Sequence, residues 1–371
     1  MKKNLKESII YIYQHFREFV NLKQKKLRRI SIDTVSHKSE ILIGENWKEF
    51  INLTRGKQVV ILTDENLLHF YGNEFGNIPY ISITPGECSK KLETIDQIAK
   101  RLLDFGVDRN GLLIGIGGGV VCDIAGFVAS IYMRGIRFGF VSTSLLSQVD
   151  ASVGGKNGVN SGSVKNILGT FNQPDFVICD QGILTTLPED EYLSGLAELI
   201  KHGAICDEEL LSIIESNTGL IKSRDQNFLT DLIGRSVEIK AVVVREDEKE
   251  TGRRMILNFG HTFGHAIEAH TGMKHGFAVA AGMIIAADIS VESGILERKD
   301  KERLSALLGE LGLIKPYEIT TRRFQELIAS DKKKSGDAVN FVLIEKIGKS
   351  VVKKISVPVL IEKYKSIYSI S

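Results

Sequence analysis

The 371-residue chain is poor in residues that mark several protein classes, with four cysteines, six prolines and one tryptophan. Cys88, Cys122, Cys179 and Cys206 lie 34, 57 and 27 residues apart, so no CxxC pair suggests a zinc ribbon or a redox motif. Such sparse use predicts a reducing, cytoplasmic setting. No apolar run approaches the roughly 20 residues of a membrane-spanning helix. The short apolar stretch Ile9–Tyr13 lacks the length and cleavage site of a secretory signal. Net charge is only +2, which gives no broad basic footprint for a nucleic acid. The expectation is a protein with neither a membrane nor a nucleic-acid partner.

What is present is ordinary globular material, 43% apolar and 25% charged, long enough for about two domains. Residues 1–28 read as a helical extension, with Ile9, Ile12, Phe16, Phe19 and Val20 at helical spacing. Nine Lys/Arg against Glu7 and Glu18 over residues 1–30 make it a solvated basic helix. From 29 to 187, short β-branched runs (Gln58–Thr63, Tyr80–Ile83, Leu112–Ile116, Ile136–Val141, Phe176–Cys179) alternate with helical stretches such as Leu92–Phe105. That alternation predicts βαβ units around a mostly parallel sheet, a Rossmann-like α/β domain. After Leu187-Pro188 helical periods dominate, over 189–203, 207–222, 226–245, 260–270, 276–293 and 300–312. Residues 188–371 therefore read as an all-α domain that ends with a small hairpin over Asn340–Ile355 around Gly348.

Three constellations carry chemistry. The first is a strand running into Gly117-Gly118-Gly119 and then a helix, an arrangement that lets backbone N–H groups approach a phosphate. It departs from the dinucleotide fingerprint at Val120 and Cys122, and the ribose carboxylate that the fingerprint places further on is replaced by Asp64 or Asp123 as candidates. The second is the polar stretch 142–166, read as a long loop, where Asp150, Lys156, Lys165 and Asn166 stand among glycines and hydroxyls. Single charges in such a setting point to an anionic small-molecule site. The third is a concentration of histidine: five of the eight lie between 202 and 275. His261 and His265 are spaced i, i+4, His275 follows, and Glu198 and Lys201 share a face of an earlier helix. Imidazoles plus a carboxylate are the usual makeup of a catalytic metal site with an open position. Spacing alone leaves open whether His261 pairs with His265 or with His275. The absence of HExxH disfavours a metalloprotease. Lys240, Glu250 and Arg254 lie near the histidine segment, and Asp331–Lys334 adds a further basic turn.

These segments together resemble the 3-dehydroquinate synthase family of the sugar-phosphate cyclases. The similarity is carried by GIGGGVVCDIAGFVAS (115–130), YMRGI (132–136), STSLLSQVDASVGGKNGVN (142–160), KNILGTF (165–171), GLAELIKHG (195–203), EKETGRRMILNFGHTFGHAIEA (248–269), HGFAVAAGM (275–283) and DKK (331–333). The resemblance implies an NAD-binding α/β domain over 29–187, a helical metal- and substrate-binding domain over 188–371, an active site between them, and a homodimer. It implies Zn²⁺ or Co²⁺ held by Glu198, His261 and His275, with His265 in the active site outside the ligand set. Asp64, Asn66, Glu87, Lys90, Gly119, Val120, Val121, Asp123, Thr143, Ser144, Lys156, Lys165 and Thr186 would contact NAD. Asp150, Lys156, Asn166, Lys201, Lys240, Glu250, Arg254, Asn258 and Lys332 would line the substrate pocket, with Arg134 reaching a phosphate across the dimer. The implied reaction turns 3-deoxy-D-arabino-heptulosonate 7-phosphate into 3-dehydroquinate and phosphate in the shikimate pathway, through transient oxidation, phosphate elimination, reduction, ring opening and aldol closure. A sister cyclase making an inosose or valiolone ring is the alternative, disfavoured by the retained Asn166, Arg254, Asn258 and His265. A polyol dehydrogenase fits less well, because polyols are neutral and the pocket is cationic. Three departures stand out: Phe277 where the family usually has Glu, Ser142 where Pro is usual, and Ser144 for a second Thr. Phe277 predicts weaker outer support for the metal ligands.

Overall fold

The computed structural model describes residues 27–34, 37–162, 164–330 and 338–368. The extension over residues 1–26 and Lys332 lie outside the described residues.

A seven-stranded sheet organises the first half in the order β1-β2-β9-β6-β5-β3-β4. Its strands are β1 (Arg28–Asp33), β2 (Lys38–Ile43), β3 (Val59–Asp64), β4 (Tyr80–Ile83), β5 (Leu112–Gly117), β6 (Arg137–Ser142) and β9 (Phe176–Cys179). Only the edge pair β1/β2 is antiparallel. The five strands expected from β-branched runs appear within a residue of their expected positions. Two differences follow from weak local signals. Arg28, read as part of a helical extension, pairs with Ile43. The strands β1 and β2, which were not among the expected strands and of which only β2 carries a short apolar run, Ile41–Ile43, add an edge to the sheet. Helices α1 (Glu65–Tyr71), α2 (Leu92–Asp104) and α3 (Gly119–Ile131) connect the strands. α2 buries Thr94, Ile95, Ile98 and Leu102, the one-face spacing expected of a helix lying on a sheet.

The stretch 142–166, expected to be a long loop, is ordered instead. It forms a wide helical turn at Ser147–Ala151 and enters a hairpin of β7 (Lys156–Ser161) and β8 (Val164–Phe171). Glycine hid the hairpin from a reading based on β-branched runs, and glycine is what permits it. A Cβ on Gly158 would lie 2.8 Å from the Leu168 carbonyl oxygen, and one on Gly126 of α3 would lie 1.9 Å from the buried Asn157 side chain. No β-branched residue fits at such approaches.

The second half is mostly helical: α4 (Glu189–Cys206), α5 (Glu208–Ser216), α6 (Gln226–Glu246), α7 (His261–Thr271), α8 (His275–Glu292), α9 (Arg298–Glu310), α10 (Thr321–Ser330) and α11 (Val357–Tyr368). The small hairpin expected around Gly348 is present, and its strands β10 (Ala338–Lys346) and β11 (Lys349–Ser356) pack against α8 and α4. α8 is long and apolar enough to cross a membrane by composition, although 72% of its 18 residues are buried inside the fold. It runs against α4 and the start of α7 at backbone contact. A Cβ on Gly276 would sit 2.2 Å from the Ser194 oxygen, and one on Gly282 1.9 Å from the Gly260 oxygen. Below α7, Phe263 meets Phe324 and Tyr364 at ring distances of 5.2 and 5.5 Å. Such aromatic pairs add about 0.5–1.5 kcal/mol each beyond burial.

Candidate active site

The first site lies where the sheet changes direction. The chain runs outward from β3 to β4 and returns to β5 on the other side of β3, which opens a crevice at the carboxyl ends of β3 and β5. Leu62 pairs with Gly115, so Asp64 and Gly117 stand at one level, and Thr63 Oγ1 locks the strands by donating to the Ile116 carbonyl at 2.8 Å. Gly118 precedes α3 with no side-chain cap, leaving the first N–H groups of that helix open at its positive end. Gly117 is obligatory, because a Cβ there would lie 2.5 Å from the Val121 side chain. Thr143 N–H donates to the Gly117 carbonyl at 3.0 Å, and Ser144 hydrogen-bonds to Ser147 behind the turn. Asp64 caps α1 through Leu67 N–H at 3.0 Å, and burial raises its carboxyl above the ordinary value. Asn66 is exposed on the first turn of α1, and Thr186 faces α1 through Tyr71 OH at 3.1 Å.

Lys90, only 4% exposed, donates to Asp123 and to Asn166 Oδ1, both at 2.6 Å. Burial raises the Asp123 carboxyl in spite of that ammonium. Asn160, which was not among the expected site residues, fixes this corner. Its side chain accepts from Asn166 N–H at 2.8 Å and donates to Glu87 at 2.9 Å. A hint was available in the spacing, since Asn160 and Asn166 flank the tip of a hairpin.

The second site is built by three helices. Glu198 on α4, His261 at the start of α7 and His275 at the start of α8 bring their ligating atoms within 4.8 Å of one another. Both Nε2 atoms face Glu198 Oε1, at 3.8 Å from His261 and 3.6 Å from His275, distances too long for hydrogen bonds. Glu198 is fully buried, and Oε1 has no hydrogen-bond partner among the described residues. An orphaned buried carboxylate oxygen facing two imidazole nitrogens is a donor set suited to a divalent cation. The opposite nitrogens are held: His261 Nδ1 by the Phe259 carbonyl at 3.2 Å and His275 Nδ1 by Glu268 at 3.1 Å. Of the two pairings left open by spacing, the structure gathers His261 and His275 with Glu198. His265 is their neighbour, with its ring 5.2 Å from that of His261.

Burial works to raise the Glu198 carboxyl, but Lys201, paired with Oε2, and the two imidazoles hold it well below the ordinary range. Burial and then Lys201 hold His261 well below its ordinary value, and so neutral. Against burial, Glu198 and Glu268 push His275 up to about 9.

Beside this set lies a pocket of about 170 Å³ lined by Glu250, Asn258, His261, His265 and, unforeseen from sequence, Met255, Thr262, Val339 and Asn340. Asp150, at 27% exposure, is tied to Lys240, whose Nζ also donates to the Asp150 carbonyl at 2.6 Å. Burial would raise Asp150, yet Lys240 and Lys201 outweigh it and hold the carboxyl low. Glu250 joins Lys156 to Asn258, the latter donating at 2.6 Å. Arg254 is 1% exposed and donates to the Gly154 carbonyl at 2.9 Å. Lys165 on β8 pairs with Glu268 on α7 at 2.6 Å. The pairs Lys156–Glu250, Asp150–Lys240 and Lys165–Glu268 thus stitch the sheet half to the helical half around one cleft. Arg134 stands apart: it is exposed on the turn after α3, with left-handed backbone at φ 69°, and no described contact joins it to either site. Phe277 is turned into the interior, 4% exposed, with Lys315 Nζ 5.1 Å from its ring. It therefore leaves the outer support of His275 to Glu268.

Comparison with known proteins bears on the family and the fold. The family models for the N-terminal and C-terminal parts of 3-dehydroquinate synthase match residues 80–194 and 195–334. A 3-dehydroquinate synthase of Halorhodospira halophila (strain DSM 244 / SL1) is 42% identical over 303 residues, 80% of this chain and 86% of the relative. Two solved structures share the fold at 24% identity. One is a 2-deoxy-scyllo-inosose synthase complexed with carbaglucose-6-phosphate, NAD⁺ and Co²⁺ (TM-score 0.80, covering 91% of this chain and 100% of that one). The other is the 2-epi-5-epi-valiolone synthase of Streptomyces hygroscopicus subsp. jinggangensis 5008 with NAD⁺ and Zn²⁺ bound (TM-score 0.81, covering 93% and 100%). With both halves matched by its models and a relative this similar across most of its length, the chain belongs to the 3-dehydroquinate synthase family.

Proposed function

We propose that the chain is a 3-dehydroquinate synthase, a lyase that converts 3-deoxy-D-arabino-heptulosonate 7-phosphate to 3-dehydroquinate and phosphate with NAD and a divalent metal. The observation that carries this reading is the convergence of Glu198, His261 and His275 beside a pocket lined by Glu250, Asn258 and His265, with Lys156 paired to Glu250. When bound, the nicotinamide supplies a returnable hydride acceptor and the metal a Lewis acid.

The chain's own groups do the rest. Glu198, His261 and His275 would hold the cation, Zn²⁺ or Co²⁺. The crevice of Asp64, Gly119–Asp123, Lys90, Thr143 and Ser144 would hold the dinucleotide, with Asn66, Glu87, Lys165 and Thr186 at its rim. Lys156, Lys240, Arg254, Asn166 and Asn258 would bind a ligand with a phosphate at one end and a carboxylate at the other, with Lys332 as a further cation. Asp150, tied to Lys240, and Glu250, tied to Lys156 and Asn258, orient those donors. Lys201, buried beside Glu198, keeps the metal-holding carboxylate ionised, and His265 is the imidazole placed to exchange a proton with the substrate. Fixing both ends of an open-chain substrate in one cleft favours the closing aldol step by effective concentration.

The chain is also read as a cytoplasmic homodimer, divided near 187–188. The last strand of the large sheet ends at Cys179 and α4 begins at Glu189, which supports that division. Ile131 at the end of α3, Met133 beyond it, and Val164, Ile167 and Phe171 on β8 are exposed. The two stretches adjoin where Thr170 Oγ1 meets Ser130 Oγ at 3.1 Å. An apolar patch of this kind beside Arg134 suits a second copy.

The test is a phosphate-release assay on purified protein with the heptulosonate phosphate, NAD⁺ and Zn²⁺. Phosphate release without accumulation of NADH is expected. Turnover of a hexose phosphate instead would assign a sister cyclase, and steady NADH formation from polyols a dehydrogenase. His261→Ala is expected to abolish zinc retention while far-UV circular dichroism stays unchanged, and unaltered zinc content would reject its place in the ligand set.

A further inference from the structure

We infer that Glu268 is a positioning residue, whose carboxylate turns His275 Nε2 toward Glu198 and is itself anchored by Lys165 on β8. This rests on the reading of Glu198, His261 and His275 as the metal-holding set. The two imidazoles are steered by different means. His261 uses a backbone carbonyl, that of Phe259 at 3.2 Å, which any sequence would supply. His275 uses a side chain, with Nδ1 3.1 Å from Glu268 Oε2.

Glu268 follows His261 by seven residues and His265 by three, so one face of α7 presents a ligand, a pocket imidazole and this carboxylate in successive turns. The side chain is 17% exposed, and its other oxygen, Oε1, accepts from Lys165 Nζ at 2.6 Å. One carboxylate thereby links the start of α8, the face of α7 and the hairpin of the sheet half. A hydrogen bond to the far nitrogen fixes both the ring's orientation and its tautomer, leaving the Nε2 lone pair for a cation. Phe277, two residues beyond His275, points into apolar surroundings and cannot substitute.

The experiment measures zinc affinity of metal-stripped protein by competition with a chromophoric chelator, for wild type, His275→Ala, Glu268→Ala, Glu268→Gln and Lys165→Ala. Glu268→Ala is expected to lose roughly 10- to 100-fold in affinity with the melting temperature of the stripped protein unchanged, a combination that a merely structural role would not give. Glu268→Gln, whose neutral amide is the poorer acceptor, should fall between it and wild type. It carries the decision if the alanine variant does not fold. Lys165→Ala should show a smaller loss in the same direction. Zinc bound by wild type, lost in His275→Ala and unchanged in both Glu268 variants would overturn this inference alone. Equal zinc binding by wild type and His275→Ala would overturn it together with the metal reading.

Discussion

Arg134, Asn166 and Glu250 are three of only five described non-glycine residues with left-handed backbone. That conformation costs of order 1–3 kcal/mol when nothing local favours it, and it persists only where surroundings impose it. At Glu250 the carboxylate ends between Lys156 and Asn258. At Asn166 the backbone N–H is fixed by Asn160 and the side chain by Lys90. A reading of residue types found these side chains but not the backbone that aims them, because φ leaves no mark on a side chain. Lys156→Ala removes a charged donor from the pocket, and KM for the heptulosonate phosphate should rise roughly 10- to 100-fold. The dissociation constant for NAD⁺, read by fluorescence quenching, should move far less; equal losses would place Lys156 on the cofactor instead. The cysteines give a second check at this scale. Cys88 is exposed, whereas Cys122 and Cys179 are buried and burial pushes their thiols up. Burial also pushes Cys206 up to about 11. Alkylation of the native protein at pH 7, followed by mass spectrometry, should therefore modify Cys88 first.

At the scale of elements, the metal-holding geometry depends on how closely α8 lies on α4. Gly276, next to His275, rests on the Ser194 backbone, and its N–H donates a hydrogen bond to Ser194 Oγ at 2.9 Å. A methyl group at 2.2 Å from the Ser194 oxygen forces the helices apart. Gly276→Ala is accordingly expected to weaken zinc retention strongly and to lower stability by the roughly 1–3 kcal/mol of overpacking; wild-type zinc affinity would show that α8 can shift without cost to the site. The turn before Arg254 is held by Asp247, whose carboxylate accepts from the N–H groups of Thr251, Gly252 and Arg254. Burial would raise that carboxyl, and these donors bring it below the ordinary range. A folded value below the unfolded one means that the stabilisation is present above the unfolded value and lost as pH falls through the folded one. Hydrogen exchange in residues 247–254 should therefore accelerate below about pH 4, and Asp247→Asn should show the faster exchange already at neutral pH. Helices of the second half were legible in the sequence because their apolar period is long and regular. The hairpin β7/β8 was not, because its pairing depends on glycine backbones that approach each other, a property of the partner rather than of the strand.

For the molecule as a whole, alternation of strands and helices was enough to foresee a sheet half and a helical half, and the clustering of histidine a site in the second; that the site lies between them was implied by the family resemblance alone. Sequence distance concealed how the halves are joined, through Asp150–Lys240, Lys156–Glu250 and Lys165–Glu268, which are 90, 94 and 103 residues apart. Nor could a single chain's sequence mark which apolar residues stay exposed. If Ile131, Ile167 and Phe171 cover a second copy, Ile167→Asp should shift the mass found by light scattering from two chains to one and cut activity along with it. A double-sized species that survives the substitution would move the interface elsewhere.

Those cross-cleft pairs carry a consequence for traffic through the site. Lys156 and Lys165 already keep company with carboxylates, so an incoming anion that engages either must take over a place that is occupied. Admission becomes an exchange of partners rather than a fall into an empty well. The displaced acid groups stand ready to reclaim their places when the anion leaves.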